Sequence, residues 1–187
     1  MSRRNFLHAT PERFIAGTVG VPGERAFFIQ VKSQHLSTTV AVEKTQVETL
    51  ATRIQEIIKD VRKSGSASHD ELNLSMPRDS EPLEFPLDEE FRVGIIALLW
   101  SPDEQRLIVE FQAIAESEIE DLLTDDEAAL IEDAPDLLAV HLRIAQARNF
   151  AERALALVSA GRQPCIFCGL PIDPDGHLCP RANGYRR

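Results

Sequence analysis

LSTTVAVEKTQVETLATRIQEII, residues 36–58, changes its period partway along. Thr38, Val40 and Val42 alternate, as they would on one face of a strand. From Val47 onward the apolar residues Leu50, Ala51, Ile54, Ile57 and Ile58 recur at helical spacing, with Glu48, Thr52, Arg53 and Glu56 on the other side. A strand therefore runs into an amphipathic helix. One hundred residues later, DLLAVHLRIAQARNFAERALALV, residues 136–158, repeats the switch. Val40 falls on Val140, Val42 on Leu142, Gln46 on Gln146, Leu50 on Phe150, Ala51 on Ala151, Arg53 on Arg153 and Ile58 on Val158.

Two further strands precede each of these stretches. In the first half they are Phe14–Val21 and Ala26–Lys32, turned at Pro22-Gly23. In the second they are Phe91–Trp100 and Arg106–Ala113, turned at Ser101-Pro102-Asp103-Glu104. Phe91–Trp100 is almost continuously apolar, which predicts a central strand buried on both faces. The order strand, strand, strand, helix thus occurs twice, over residues 1–62 and 89–160. Between them, residues 63–88 hold Ser64-Gly65-Ser66-Ala67-Ser68 and then Pro77, Pro82 and Pro86, the composition of a loosely packed linker. The expected fold class is α+β. A duplicated β-β-β-α unit would form one antiparallel-sheet domain of six main strands and two principal helices, with pseudo-two-fold symmetry, followed by a C-terminal module over residues 161–187.

Composition narrows the function. The chain has 187 residues, 43% of them hydrophobic, enough for an ordinary core. Aromatic residues make up only 6%, which disfavours a surface that stacks several bases. The net charge is −10, and ten acidic residues lie between Glu116 and Asp136 with no Lys or Arg among them. Without that insertion, twenty acids face twenty bases, so the body lacks the basic footprint of a duplex-DNA binder. Within the insertion, Thr124-Asp125-Asp126-Glu127 reads as a capping box opening a short helix to about Glu132, which Leu122, Leu123, Leu130 and Ile131 would dock. Its charges form either a solvated face or a docking surface for a basic partner. The glycine and spacing of a calcium loop are missing.

The tail carries the most specific chemistry. Cys165-Ile166-Phe167-Cys168-Gly169 places two thiols two residues apart at a turn that Gly169 permits. Asp173-Pro174-Asp175-Gly176 reverses the chain, and His177-Leu178-Cys179 returns with two more ligands. Three sulfurs and one imidazole make a closed tetrahedral set for structural Zn2+, formed by Cys165, Cys168, His177 and Cys179. Ordering such a segment costs about 1–2 kcal/mol per residue. Its few apolar side chains do not offset that, whereas a structural zinc contributes about 10–16 kcal/mol. A redox pair or an iron–sulfur ligand set is the competing reading of the same cysteines. A redox pair would call for a strand-to-helix setting, and Pro164 precedes this one. Three clustered cysteines also point to a reducing compartment and away from an extracellular disulfide scaffold. Beyond Cys179, Arg181, Tyr185, Arg186 and Arg187 offer a contact for a phosphate, a single-stranded nucleotide or a partner, although the favoured reading is that they pair with the chain's own acids or stay solvated.

Ser2-Arg3-Arg4-Asn5-Phe6-Leu7 has the look of a twin-arginine export signal. Pro11-Glu12-Arg13 breaks the run, and Phe14–Val21 is too short for the apolar core of such a signal, so a cytoplasmic location is expected. No run reaches the ~18 apolar residues of a membrane span. The phosphate-loop, nucleophile-elbow and His-rich catalytic metal motifs are all missing. Enzyme candidates reduce to His35, to His141 on the strand face opposite Val140 and Leu142, and to paired carboxylates such as Glu89 and Glu90.

On a chain of this length, the ending CIFCGLPIDPDGHLCPRANGYRR, residues 165–187, resembles an uncharacterised actinobacterial family built on a domain of unknown function. The resemblance spans the whole chain, with the Cys–His tail as its most specific part. It implies no activity. Genes of such proteins accompany those of a histidine-phosphatase-like protein and a lipid-kinase-like protein, which implies a shared pathway and transfers no catalytic residue. The reading favoured is a zinc-binding, non-enzymatic binding or adaptor protein with a protein partner. Its alternatives are an enzyme acting on a phosphorylated metabolite at a site between the two units, and a nucleic-acid binder acting through the basic tail.

Overall fold

A computed structural model describes residues 3–21, 23–34, 36–114, 135–160, 165–169, 172, 176 and 178–182. Seven strands, β1 (Asn5–His8), β2 (Arg13–Val19), β3 (Ala26–Ser33), β4 (Leu36–Val42), β5 (Glu89–Ser101), β6 (Arg106–Ala113) and β7 (Leu137–Leu142), form one sheet. Three helices accompany them among the described residues: α1 (Lys44–Ser64), α2 (His69–Asn73) and α3 (Ile144–Ser159). The short helix expected from about Asp125 to Glu132 lies outside the described residues.

The fold is α+β, but its sheet is mixed. β2-β3-β4 and β5-β6-β7 are each antiparallel, as expected. β4 and β5, however, pair in parallel, and β1 adds in parallel to β7, giving the order β1-β7-β6-β5-β4-β3-β2. The expectation of six strands in a purely antiparallel sheet is therefore corrected. Parallel neighbours need a connection of a dozen or more residues, and α1 with the stretch up to Asp88 supplies one. β1 escaped the sequence reading because four residues are too few to display a period.

α1 and α3 lie against each other and bury their apolar stripes on one face of the sheet. Val47, Leu50, Ala51 and Ile54 of α1 meet Ala147, Phe150, Ala151 and Ala154 of α3 within a core that includes Phe14, Val40, Val109 and Val140. The Phe14 ring stacks on Phe150 with centroids 4.3 Å apart. Because both long helices take the same face, β5 is not buried on both sides. Phe91 and Val93 are buried, whereas Ile95 and Leu99 are 56% and 62% exposed on the open face.

The stretch between the halves is packed, not loose. Ser68 Oγ caps α2 by accepting the Glu71 N–H, and the Glu71 side chain is 4% exposed. Its carboxylate accepts the Ile144 N–H at 2.8 Å and pairs with Arg143 at 2.8 Å, so α2 caps the start of α3. Leu83 is buried against the bare backbone of Gly17, and Glu84 exchanges two hydrogen bonds with Gln30. Proline removes backbone donors but leaves carbonyls, and here arginine and asparagine side chains take those carbonyls. Residues 76–84 are a strap laid on the first half of the sheet.

Edge strand β1 also reaches β3 and β4. His8 on β1 is 1% exposed and bonds Ser33 Oγ at 2.8 Å through Nδ1 and Thr38 Oγ1 at 2.9 Å through Nε2. These partners flank the β3–β4 turn, and Glu12 N–H donates to Lys32 O beside them.

Candidate metal centre

Cys165 opens a tight turn in which Gly169 N–H donates to Cys165 O at 2.8 Å and Gly169 adopts φ +75°. A side chain there would be strained, which explains the glycine after the second cysteine. Gly176 has φ +90°, consistent with the chain reversal read from Asp173 to Gly176, of which only Gly176 is described. Cys179 lies beside Cys165, with the two sulfurs 3.7 Å apart. Cys165, Cys168 and Cys179 all present their sulfurs within 4.8 Å of one another. Cys165 and Cys179 are buried, Cys168 is half-buried, and no disulfide joins them.

This spacing is what a metal requires. Tetrahedral ligands about 2.3 Å from zinc stand about 3.8 Å from each other, close to the separation of Cys165 and Cys179. The sulfurs also receive backbone donors, from Phe167 N–H to Cys165 at 3.4 Å and from Ala182 N–H to Cys179 at 3.3 Å. The N–H groups of Cys168 and Phe167 hold the Cys165 thiol below its ordinary range, in favour of the thiolate that binds metals. Arg181 donates to Phe167 O at 3.1 Å, tying the segment after Cys179 to the first turn. The three described sulfurs could therefore hold a metal ion. Among the described residues no other group of three His, Cys, Asp or Glu side chains comes as close.

The remaining candidates fall elsewhere. His177, the expected fourth ligand, lies outside the described residues, as do His35, Tyr185, Arg186 and Arg187. Arg181 is exposed. His141 Nδ1 is hydrogen-bonded to Glu104 at 2.8 Å, and Glu90 forms an ion pair with Arg4 at 2.8 Å, so both side chains are engaged. Glu89 borders a cavity of about 780 Å³ between the β2–β3 turn, the start of α1 and the end of α3. Arg25, Lys44 and Arg92 there face Glu24, Glu43 and Glu89, a balanced set with no His or Cys among the lining residues. Two features escaped the sequence reading, the buried His8 and the Glu71 cap. An isolated polar residue in a four-residue strand, or in a proline-rich stretch, carries no period by which burial could be read.

Among the described residues, no helix is long and apolar enough to cross a membrane. No curated protein and no solved structure gives a significant match to the chain. A family model described as "Protein of unknown function (DUF3090)" matches residues 6–179, a span that holds the whole sheet from Phe6 onward, the helices and all three cysteines. The chain is a member of the DUF3090 family.

Proposed function

We propose that this is a zinc-holding, non-enzymatic binding or adaptor protein of the cytoplasm. Its tail closes around one structural Zn2+ through Cys165, Cys168, Cys179 and His177. The observation that carries the reading is the trio of sulfurs within 4.8 Å, two of them at the edge length of a zinc tetrahedron. Such a centre has no open position for substrate, and its effect is to hold Ile166, Phe167 and Leu178 outward at 89%, 58% and 87% exposure. Apolar side chains held out by a rigid turn suit contact with a protein partner.

The body reads as a duplication. Each half runs strand, strand, strand, helix in the same sheet order, and Gln46 and Gln146 make matching bonds in the two halves. Because the halves share one core, a binding groove would form where a helix of one half meets a strand of the other.

Cobalt substitution tests the metal reading. Replacing the native ion with Co2+ should give the visible bands of a tetrahedral site and a near-ultraviolet thiolate band that weakens stepwise as Cys165, Cys168 and Cys179 are changed singly to Ser. A six-coordinate spectrum, or a thiolate band indifferent to these changes, would refute the assignment.

A further inference from the structure

The two helices rest on the sheet in the same way, yet among the described residues only one of the two slots they create is filled. Gln146 Nε2 donates to Pro11 O just ahead of β2, and Gln46 Nε2 donates to Val93 O at the start of β5. The α3–β2 slot holds the chain's own strap. Asn149 Nδ2 donates to Met76 O at 3.2 Å and to Pro77 O at 3.1 Å. Arg153 donates to Asp79 O and to Glu81 O, each at 2.6 Å, and also to Ala16 O on β2 at 3.1 Å. An extended acidic segment is thus gripped by its carbonyls, while Arg13 pairs with the Asp79 carboxylate.

One hundred residues earlier, Thr49 stands in the position of Asn149 and Arg53 in that of Arg153. Among the described residues, the slot they border, between α1 and β5, is an open groove of about 480 Å³. Its apolar wall is Leu50, Ile57, Ile96 and Leu98. Arg53 lines it, and among the described residues no Asp or Glu does, on a chain whose net charge is −10. The Arg53 side chain is 65% exposed and pairs with Glu56 on its own helix, a surface contact of the kind that exchanges readily.

We infer that the α1–β5 groove binds an extended, acidic segment of a partner protein, in the manner in which the α3–β2 slot holds residues 76–82. Arg53 and the Thr49 hydroxyl donate to the segment's carbonyls, an acidic side chain complements Arg53, and an apolar side chain rests on Ile96 and Leu98. The inference deepens the binding reading above and rests on its non-enzymatic part, not on the metal.

The strap itself supplies the probe. A fluorescein-labelled peptide of residues 73–84 (NLSMPRDSEPLE), titrated with the full-length protein, should bind saturably by fluorescence polarisation. Arg53→Ala should weaken binding about tenfold or more, as loss of charge-assisted hydrogen bonds does. A peptide with lysine at the positions of Asp79 and Glu81 should weaken it similarly. Arg53 is exposed, so the variant should keep the wild-type melting temperature, and Thr49→Trp gives a second obstruction independent of charge. Absence of saturable binding, or binding indifferent to both Arg53→Ala and Thr49→Trp, would overturn the inference. Concentration-dependent self-association that depends on Arg53 would assign the groove to a second copy of the chain and overturn the partner. The same titration on Cys165→Ser protein separates the two proposals. Peptide affinity should be unchanged there, whereas zinc content is the quantity on which the tail reading stands.

Discussion

Gln46 and Gln146, one hundred residues apart, make the same pair of bonds in two places. Each side-chain oxygen accepts the backbone N–H three residues earlier, Glu43 at 2.8 Å and Arg143 at 3.0 Å, and so closes the first turn of its helix. Each amide nitrogen then reaches a carbonyl in the other half, Val93 O at 3.0 Å and Pro11 O at 2.6 Å. One residue type at one spacing both starts a helix and fastens it across the domain.

These paired roles give the glutamines similar weight. Gln46→Ala and Gln146→Ala should each cost about 1–2 kcal/mol, the sum of a lost cap and a lost half-buried hydrogen bond. Urea unfolding of the two variants measures this. A shift in only one of them would show that the halves are not equivalent at this contact.

Glu71 is a second anchor. Burial pushes its carboxyl up, but the Arg143 pair and the Ile144 N–H outweigh that, and it sits below the usual glutamate range. A depressed carboxylate adds stability above its unfolded pKa and loses it as pH falls through the folded value, so the contribution is full at neutral pH and fades in acid. Glu71→Ala leaves the Arg143 guanidinium and the first amide of α3 without this partner. Because Arg143 is partly exposed, the expected loss is about 2–3 kcal/mol at pH 7, shrinking below about pH 4. Equal losses at both pH values would contradict the account.

His8 titrates in a higher window. Burial lowers its pKa from 6.5, so the folded state holds it neutral between Ser33 and Thr38. The unfolded chain then takes up the proton first, and stability falls as pH drops from about 6.5 toward the folded value. His8→Gln should flatten the stability profile in that range. A profile unchanged by the substitution would show that His8 is not the group titrating.

Gly17 tests the strap. A methyl group there would run into the Leu83 side chain. Gly17→Ala should therefore cost about 1–3 kcal/mol by overpacking. Pairing it with Leu83→Ala should recover part of the loss, because the cavity left by leucine accepts the methyl. Additive losses in the double variant would mean that Leu83 does not press on Gly17 in solution.

Much of this architecture was legible in the residues, and the failures have physical causes. Strand alternation at Thr38, Val40 and Val42 and helical spacing from Val47 to Ile58 each report one core-facing side, and both are found there, buried except for the half-buried Ile57 and Ile58. Phe91–Trp100 misled because hydrophobicity alone does not say how many faces are covered, and Ile95 and Leu99 turned out open. The parallel pairing of β4 with β5 is a matter of chain connection, invisible to local period. Residues 76–84 read as loose because their order comes from distant side chains, Arg13, Asn149 and Arg153, taking their carbonyls. In the tail, the spacing of Cys165, Cys168 and Cys179 was enough to anticipate their convergence, and Gly169 and Gly176 both take the positive φ expected of turn glycines.

The most direct test of the account is the zinc content of full-length protein purified without chelators. About one zinc ion per chain should be found in the wild type and little in Cys165→Ser or Cys179→Ser protein, since a three-sulfur site does not survive loss of a buried ligand. Protein that is folded yet free of zinc, or zinc retained undiminished after both cysteines are replaced, would contradict it.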